Sequence, residues 1–160
     1  MLLVKKMLSL IALTVFAALS MNANAQLADK KVLTLEAAKK IAAGAETEAR
    51  KNNWNVVIAV VDDGGHLVYL QRIDGTQTGS IDVAIGKART AAAFKRPTKV
   101  FDDLAKTRPS ITSISPTAVL LEGGIPVVAG GQVVGAVGVS GVTSQQDAQV
   151  AEAGIAALGM

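Results

Sequence analysis

The order of apolar and polar residues predicts a first block made of one helix and one hairpin. Thr34 precedes apolar residues at helical spacing, with charged residues between them, so we expect a helix that Thr34 caps and Asn52-Asn53 ends. The nearly continuous β-branched run 56–61 is typical of a strand buried on both faces. Asp-Asp-Gly-Gly at 62–65 predicts a tight turn, and 66–72 alternates enough to form the partner strand.

Two helices are predicted next. Ser80 is placed to cap an amphipathic helix that Pro97 terminates. Thr98 is placed to cap a shorter helix through about Lys106. The Ser/Thr/Pro-rich residues 109–118 then predict a loop.

The last third of the chain predicts a second hairpin and a closing helix. Val119-Leu120-Leu121 is a candidate short edge strand, and the apolar runs 126–129 and 132–140 are joined by Gly130-Gly131. Ser144-Gln145-Gln146-Asp147 resembles a capping box that opens the final helix. The resulting order, α-β-β-α-α-β-β-α, favours a single α/β (α+β) domain with a central antiparallel sheet flanked by helices over a parallel, doubly wound one.

The N-terminus has the pattern of a secretory signal. Lys5 and Lys6 precede a short apolar run, and Ala23-Asn24-Ala25 is a small-x-small cleavage site, so we expect residues 1–25 to be removed and 26–160 to form the domain. The apolar run is shorter than the roughly 20 residues that span a bilayer, which argues against a stable membrane anchor. The sequence therefore predicts an exported protein, either periplasmic or secreted.

Composition excludes several classes of function. The 160-residue chain has no cysteine and one histidine, which rules out thiolate nucleophiles, zinc fingers, iron–sulfur clusters and all-histidine metal cages. Removal of residues 1–25 takes two lysines and no acid, which lowers the formal net charge from +3 to +1. We therefore expect no nucleic-acid partner, because phosphate binding needs concentrated positive charge.

Few residues are candidates for chemistry. Gly135, Gly138 and Gly141 match no phosphate-binding motif, and they indicate either close backbone packing or a ligand-facing surface. His66 follows a turn and is either a neutral metal ligand or a solvated turn residue. Basic residues near the middle of the chain either pair with an anionic ligand or form a solvated helix face. These basic residues are Arg72, Lys87, Arg89, Lys95 and Arg96.

Five ordered motifs resemble the GlcG/HbpS family, which also includes the C-terminal domain of PduO-type proteins. They are residues 60–68 (VVDDGGHLV), 72–75 (RIDG), 87–91 (KARTA), 123–127 (GGIPV) and 135–141 (GAVGVSG). The resemblance runs from about Thr34 to Leu158. It implies a profilin-like domain, a homo-oligomer and, as in several members, haem as a bound cofactor.

The resemblance also implies a site. Haem needs an apolar wall, cations for its propionates and an iron ligand. His66 is then the candidate metal ligand. The candidate cations for the propionates are Arg72, Lys87 and Arg89. If His66 does not ligate the iron, the ligand would be Tyr69, Thr143 or water.

Three functions stay open at this point. The first is an exported protein that sequesters, buffers or passes haem, with slow haem degradation as an added activity. The second is an enzyme on a small organic metabolite of the glycolate or diol kind, with Asp147, Lys87 or Arg72 in a glycine-lined pocket. The third is an oligomeric sensor-accessory module.

Overall fold

The computed structural model describes residues 28–159. Contacts divide the chain into two units, 1–30 and 31–160, and the fold below is that of the second. The predicted signal peptide, residues 1–25, lies outside the described residues. Within the described residues, no helix is both long enough and apolar enough to cross a bilayer.

The described part of the chain contains four helices and four strands in the predicted order. They are α1 Leu35–Lys51, β1 Val57–Asp62, β2 Leu67–Arg72, α2 Ser80–Phe94, α3 Lys99–Thr107, β3 Gly124–Ala129, β4 Gln132–Ser140 and α4 Ser144–Ala156. A 3-10 helix, Pro109–Ser113, occupies part of the predicted loop. The α+β class is therefore confirmed.

The four strands form one antiparallel sheet in the order β2-β1-β4-β3, so β1 and β4 are central. Side chains alternate along β1 because successive residues point to opposite faces. Ile58 and Val60 join the core formed with α1 and α4, whereas Ala59 and Val61 pack against α2. All residues from Val57 to Val61 are fully buried, as the sequence predicts for a strand covered on both faces.

Helix α2 lies very close to the sheet because β4 has a glycine beneath it. A Cβ atom on Gly138 would collide with the carbonyl oxygen of Ala84 and the backbone nitrogen of Ala88. Gly135 and Gly141 are crowded in the same way by backbone atoms of neighbouring segments. Of the two interpretations of these glycines, close backbone packing is the one that the structure shows.

Two of the predicted N-caps do not form the expected hydrogen bond between the side chain and the helix. The residue before α2 is Gly79, and Ser80 is instead a buried first residue of the helix that shares a hydrogen bond with Ser140. Thr98 does precede α3, but its hydroxyl accepts a hydrogen bond from the backbone N–H of Gly124 (2.9 Å) rather than from the helix. Both hydroxyls are used for contacts between elements that are distant in sequence.

Two further predictions differ from the structure, one in its position and one in its secondary structure. The capping box of α4 is formed by Thr143 and Gln146, one residue earlier than expected. Residues 119–121 are not a strand, because Val119 packs on α2: its backbone N–H donates to Thr90 Oγ1 (2.9 Å), and its side chain fills the space over Gly86.

We expect Gly138→Ala to destabilise the fold strongly, because the new methyl group would push α2 off the sheet and such overpacking costs about 1–3 kcal/mol or more. Gly79→Ala is the matched control: no atom lies within 4 Å of its Cβ position, and its φ of −60° suits alanine. It should raise stability by about 0.4–1 kcal/mol. Urea denaturation measures both, and equal effects would contradict the close packing of α2.

Candidate functional site

A groove of about 290 Å³ opens between the β1–β2 turn and helix α2. Its floor is α2, one end is the turn, and the far wall comes from the segment that follows the 3-10 helix. The lining residues are Gly64, Gly65, His66, Arg89, Thr90, Ala93, Phe94, Ser115, Thr117 and Ala118. For brevity we call this the α2 groove.

Asp62 holds the turn that positions His66. Its carboxylate oxygen Oδ1 accepts hydrogen bonds from the backbone N–H groups of Gly64 (2.9 Å) and His66 (2.8 Å). Gly65 has a φ of +81°, a conformation that glycine adopts without strain. These contacts leave the imidazole of His66 exposed at the mouth of the groove.

Arg89 joins the turn to helix α2. Its Nε donates a hydrogen bond to the carbonyl oxygen of Gly65 (3.1 Å), and the side chain is exposed. The guanidinium has further N–H donors, so this contact does not use up its capacity to bind an anion. His66 and Arg89 therefore offer a nitrogen ligand and a cation in the same groove.

Thr90 fixes the opposite wall. Its hydroxyl donates to the carbonyl oxygen of Gly86 (2.8 Å) and accepts from the N–H of Val119 (2.9 Å). The side chain is buried, so both hydrogen bonds are shielded from water. Thr90 was not among the predicted site residues. The sequence feature that could have indicated it is a small hydroxyl side chain beside the apolar face of a predicted helix.

Lys87 lies in the interior rather than in the α2 groove. Its ammonium binds Asp147 Oδ2 (2.7 Å) and the carbonyl oxygen of Val139 (3.0 Å), and the two side chains are only 2% and 3% exposed. Burial raises the pKa of Asp147, an effect that the hydrogen bond from Lys87 opposes. This ion pair joins α2 to α4 and is therefore part of the fold's framework.

The other predicted site residues are dispersed. Arg72 is exposed at the end of β2 that is farther from His66. It lies five residues from the first residue of the strand, Leu67, a distance of about 17 Å along a strand. Thr143 is exposed and caps α4. The structure thus brings together His66 and Arg89 and places Arg72, Lys87 and Thr143 elsewhere. Among the described residues, no cluster of three or more His, Asp or Glu side chains could hold a metal ion.

Comparison with known proteins identifies the family. The family model described as "Haem degrading protein HbpS-like" matches residues 33–156. The chain belongs to the HbpS-like family. Protein GlcG of Escherichia coli K12 is 46% identical over 111 residues, which are 69% of this chain and 83% of GlcG.

Solved structures of HbpS-like relatives have the same fold. A double mutant of Streptomyces reticuli HbpS is 38% identical, with 86% of this chain and 94% of that chain covered and a TM-score of 0.78. A PduOC complex with haem is 25% identical, with 79% and 95% covered and a TM-score of 0.74. The resemblance read from the sequence motifs is therefore confirmed.

We expect Lys87→Met to lower the free energy of unfolding by about 3–5 kcal/mol, because it leaves the carboxylate of Asp147 buried without its partner. The double variant Lys87→Met/Asp147→Leu should recover much of this loss, since no buried charge remains. Urea denaturation of the two variants measures the difference. Additive losses in the double variant would show that the pair is not coupled as described.

Proposed function

We propose that this protein is an exported haem-binding protein that sequesters, buffers or passes haem, and that haem contacts the α2 groove. Membership of the HbpS-like family and the haem complex of a structural relative support haem as the ligand. The juxtaposition of His66 and Arg89 in one groove is the observation that carries the choice of site.

The groove has the kinds of groups that haem requires. Ala93, Phe94 and Ala118 provide an apolar wall, His66 provides an imidazole nitrogen, and Arg89 provides a cation for a propionate. The groove is open, so it would hold one edge of the macrocycle rather than enclose it. Bound haem would supply iron-centred redox chemistry; the protein's own groups would orient the ring and hold its carboxylates.

The metabolite-enzyme alternative has less support. Asp147 and Lys87 satisfy each other in the interior and line no part of the α2 groove, and Arg72 lies at the far end of β2. The family description adds haem degradation to the proposal. A Soret band that decays with release of iron in the presence of dioxygen and a reductant would support that added activity, because opening the ring consumes dioxygen, and a stable band would count against it.

Hemin titration of the purified protein tests the site. We expect His66→Ala to shift the Soret band and the spin state, because it removes the nitrogen ligand. Arg89→Ala should leave the spectrum similar but weaken binding about two- to fivefold, the range for a solvent-exposed ion pair, because the Arg89 side chain is exposed.

Arg72→Ala is the matched control, an exposed arginine outside the groove, and it should change neither property. If His66→Ala leaves the spectrum unaltered, His66 is not the iron ligand, and Tyr69, Thr143 or water must be tested instead. If Arg72→Ala weakens binding as much as Arg89→Ala, the location in the α2 groove is wrong.

Export is part of the same proposal and rests on residues 1–25. Expression with the full N-terminus in a bacterial host should give a mature protein that begins at Gln26. Intact-mass measurement of the exported fraction checks this. A product that keeps Met1 and stays in the cytoplasm would contradict it.

We also propose a closed homo-oligomer. Segment 119–142 is strongly apolar, but part of this surface needs no partner, because Val127, Val137 and Val139 are buried within the single chain. Five large apolar side chains in or near α3 and β3 are nevertheless 37–49% exposed, and association of copies of the chain would cover such apolar surface. They are Val100, Leu104, Ile114, Leu121 and Val128.

Light scattering should give a mass above that of a monomer at micromolar concentration, and a monomer mass would refute the proposal.

A further inference from the structure

A second groove lies on the face of the sheet opposite α2. It has a volume of about 400 Å³, within the roughly 300–1,000 Å³ range of small-molecule sites. The start of α1, the edge strand β3 and the C-terminal end of the chain enclose it. We call it the edge groove, and its aliphatic lining residues are Val32, Leu33, Ala37, Val127, Ala129, Val134 and Leu158.

The lining of the edge groove combines apolar walls with a single cation. Of the nine lining residues, all within the described part of the chain, seven are aliphatic, and the other two are Thr34 and Lys31. Lys31 is exposed, and the groove has no acidic lining residue in the described chain to neutralise its charge. A ligand with an anionic head group and an apolar tail complements such a surface, because the tail packs against the apolar walls and the head group pairs with the ammonium of Lys31.

The segment that carries Lys31 is held in place beside the groove. The backbone N–H of Lys31 donates to Gln132 Oε1 (3.1 Å), at the start of β4. The ammonium lies against Gly130 in the β3–β4 turn, where a Cβ atom would collide with it. Lys31 is therefore positioned over one end of the groove rather than at a random point on the surface.

The fold buries some apolar side chains of the edge groove and leaves others accessible: Val127 and Val134 are 1% and 4% exposed, whereas residues 32–33 and Leu158 keep accessible surface. Val32 is 67% exposed, although it lines the groove and is flanked by Leu33, which packs against the main core. Covering exposed aliphatic surface is favourable by roughly 25 cal/mol per Å². A ligand that lies along the groove would gain this energy without any rearrangement of the core.

We propose that the edge groove binds a free linear aliphatic carboxylate of medium chain length. The alkyl chain lies along the accessible side chains of Val32, Leu33 and Leu158, and the carboxylate pairs with the ammonium of Lys31. This site is separate from the proposed haem site, since the two grooves share no lining residue and lie on opposite faces of the sheet. The protein would then carry two different amphiphilic anions.

Isothermal titration of the mature protein with hexanoate, heptanoate and octanoate, all as monomeric solutes, tests this site. Each added methylene should tighten binding about fourfold, which corresponds to about 0.8 kcal/mol of apolar burial. Octan-1-ol should bind more weakly than octanoate, because it lacks the charge that meets Lys31. An absence of saturable binding, or an affinity independent of chain length, would overturn the proposal.

Variants at the head and along the tail locate the ligand. Lys31→Met should weaken octanoate binding about two- to fivefold, the range for a solvent-exposed ion pair, and Lys31→Arg should restore it. Lys40→Met, at an exposed lysine of α1 outside the groove, is the matched control and should have no effect. Ala37→Phe should fill the groove and abolish binding, with urea denaturation confirming that the variant is folded.

Two further outcomes would also overturn the site. Octanoate should still bind to hemin-loaded protein and to His66→Ala, so competition between hemin and octanoate would mean that the edge groove is part of the haem site. Failure of the haem proposal alone would leave octanoate binding intact. If Ala37→Phe changes the oligomeric mass measured by light scattering, the groove is a contact between copies of the chain rather than a ligand site.

Discussion

The architecture depends on the close contact between helix α2 and strand β4 at Gly138. Because glycine has no side chain, the backbone of α2 rests almost directly on the central strand. That position brings Lys87 within reach of Asp147 and the carbonyl of Val139 on the inner side. It also sets Arg89 beside the β1–β2 turn on the outer side. One packing contact therefore determines both the buried ion pair and the α2 groove.

The elements that could be predicted from the sequence are those with strong local signals. The β-branched run before Asp62, the glycine turn after it and the breaks at prolines specify the strands and helix ends through interactions within a few residues. Caps at Ser80 and Thr98 were predicted wrongly because their hydroxyls bind Ser140 and Gly124, which are distant in sequence. The same applies to Val119, whose apolar neighbours look like a strand but whose side chain fills the space over Gly86.

The site could be predicted only in part, for a related reason. His66 and Arg89 line the same groove because the tight turn places His66 at its mouth and Arg89 binds the carbonyl oxygen of Gly65 in that turn, and the sequence motifs contain both residues. Lys87 was expected either to pair with an anionic ligand or to lie on a solvated helix face, since its partner Asp147 is 60 positions away and no local pattern indicates a buried charge. Arg72 follows His66 closely in sequence, but a strand carries it to the other end of the sheet.

The central claim, that haem lies in the α2 groove, is tested most directly by NMR of the isotope-labelled protein with and without ferric hemin. Paramagnetic iron broadens nearby amide signals, so the signals of Gly64, Gly65 and Ala93 should be lost first. Signals of Val134 and Leu158, in the edge groove on the opposite face, should persist. Broadening centred on the edge-groove residues, with the β1–β2 turn unaffected, would contradict the account.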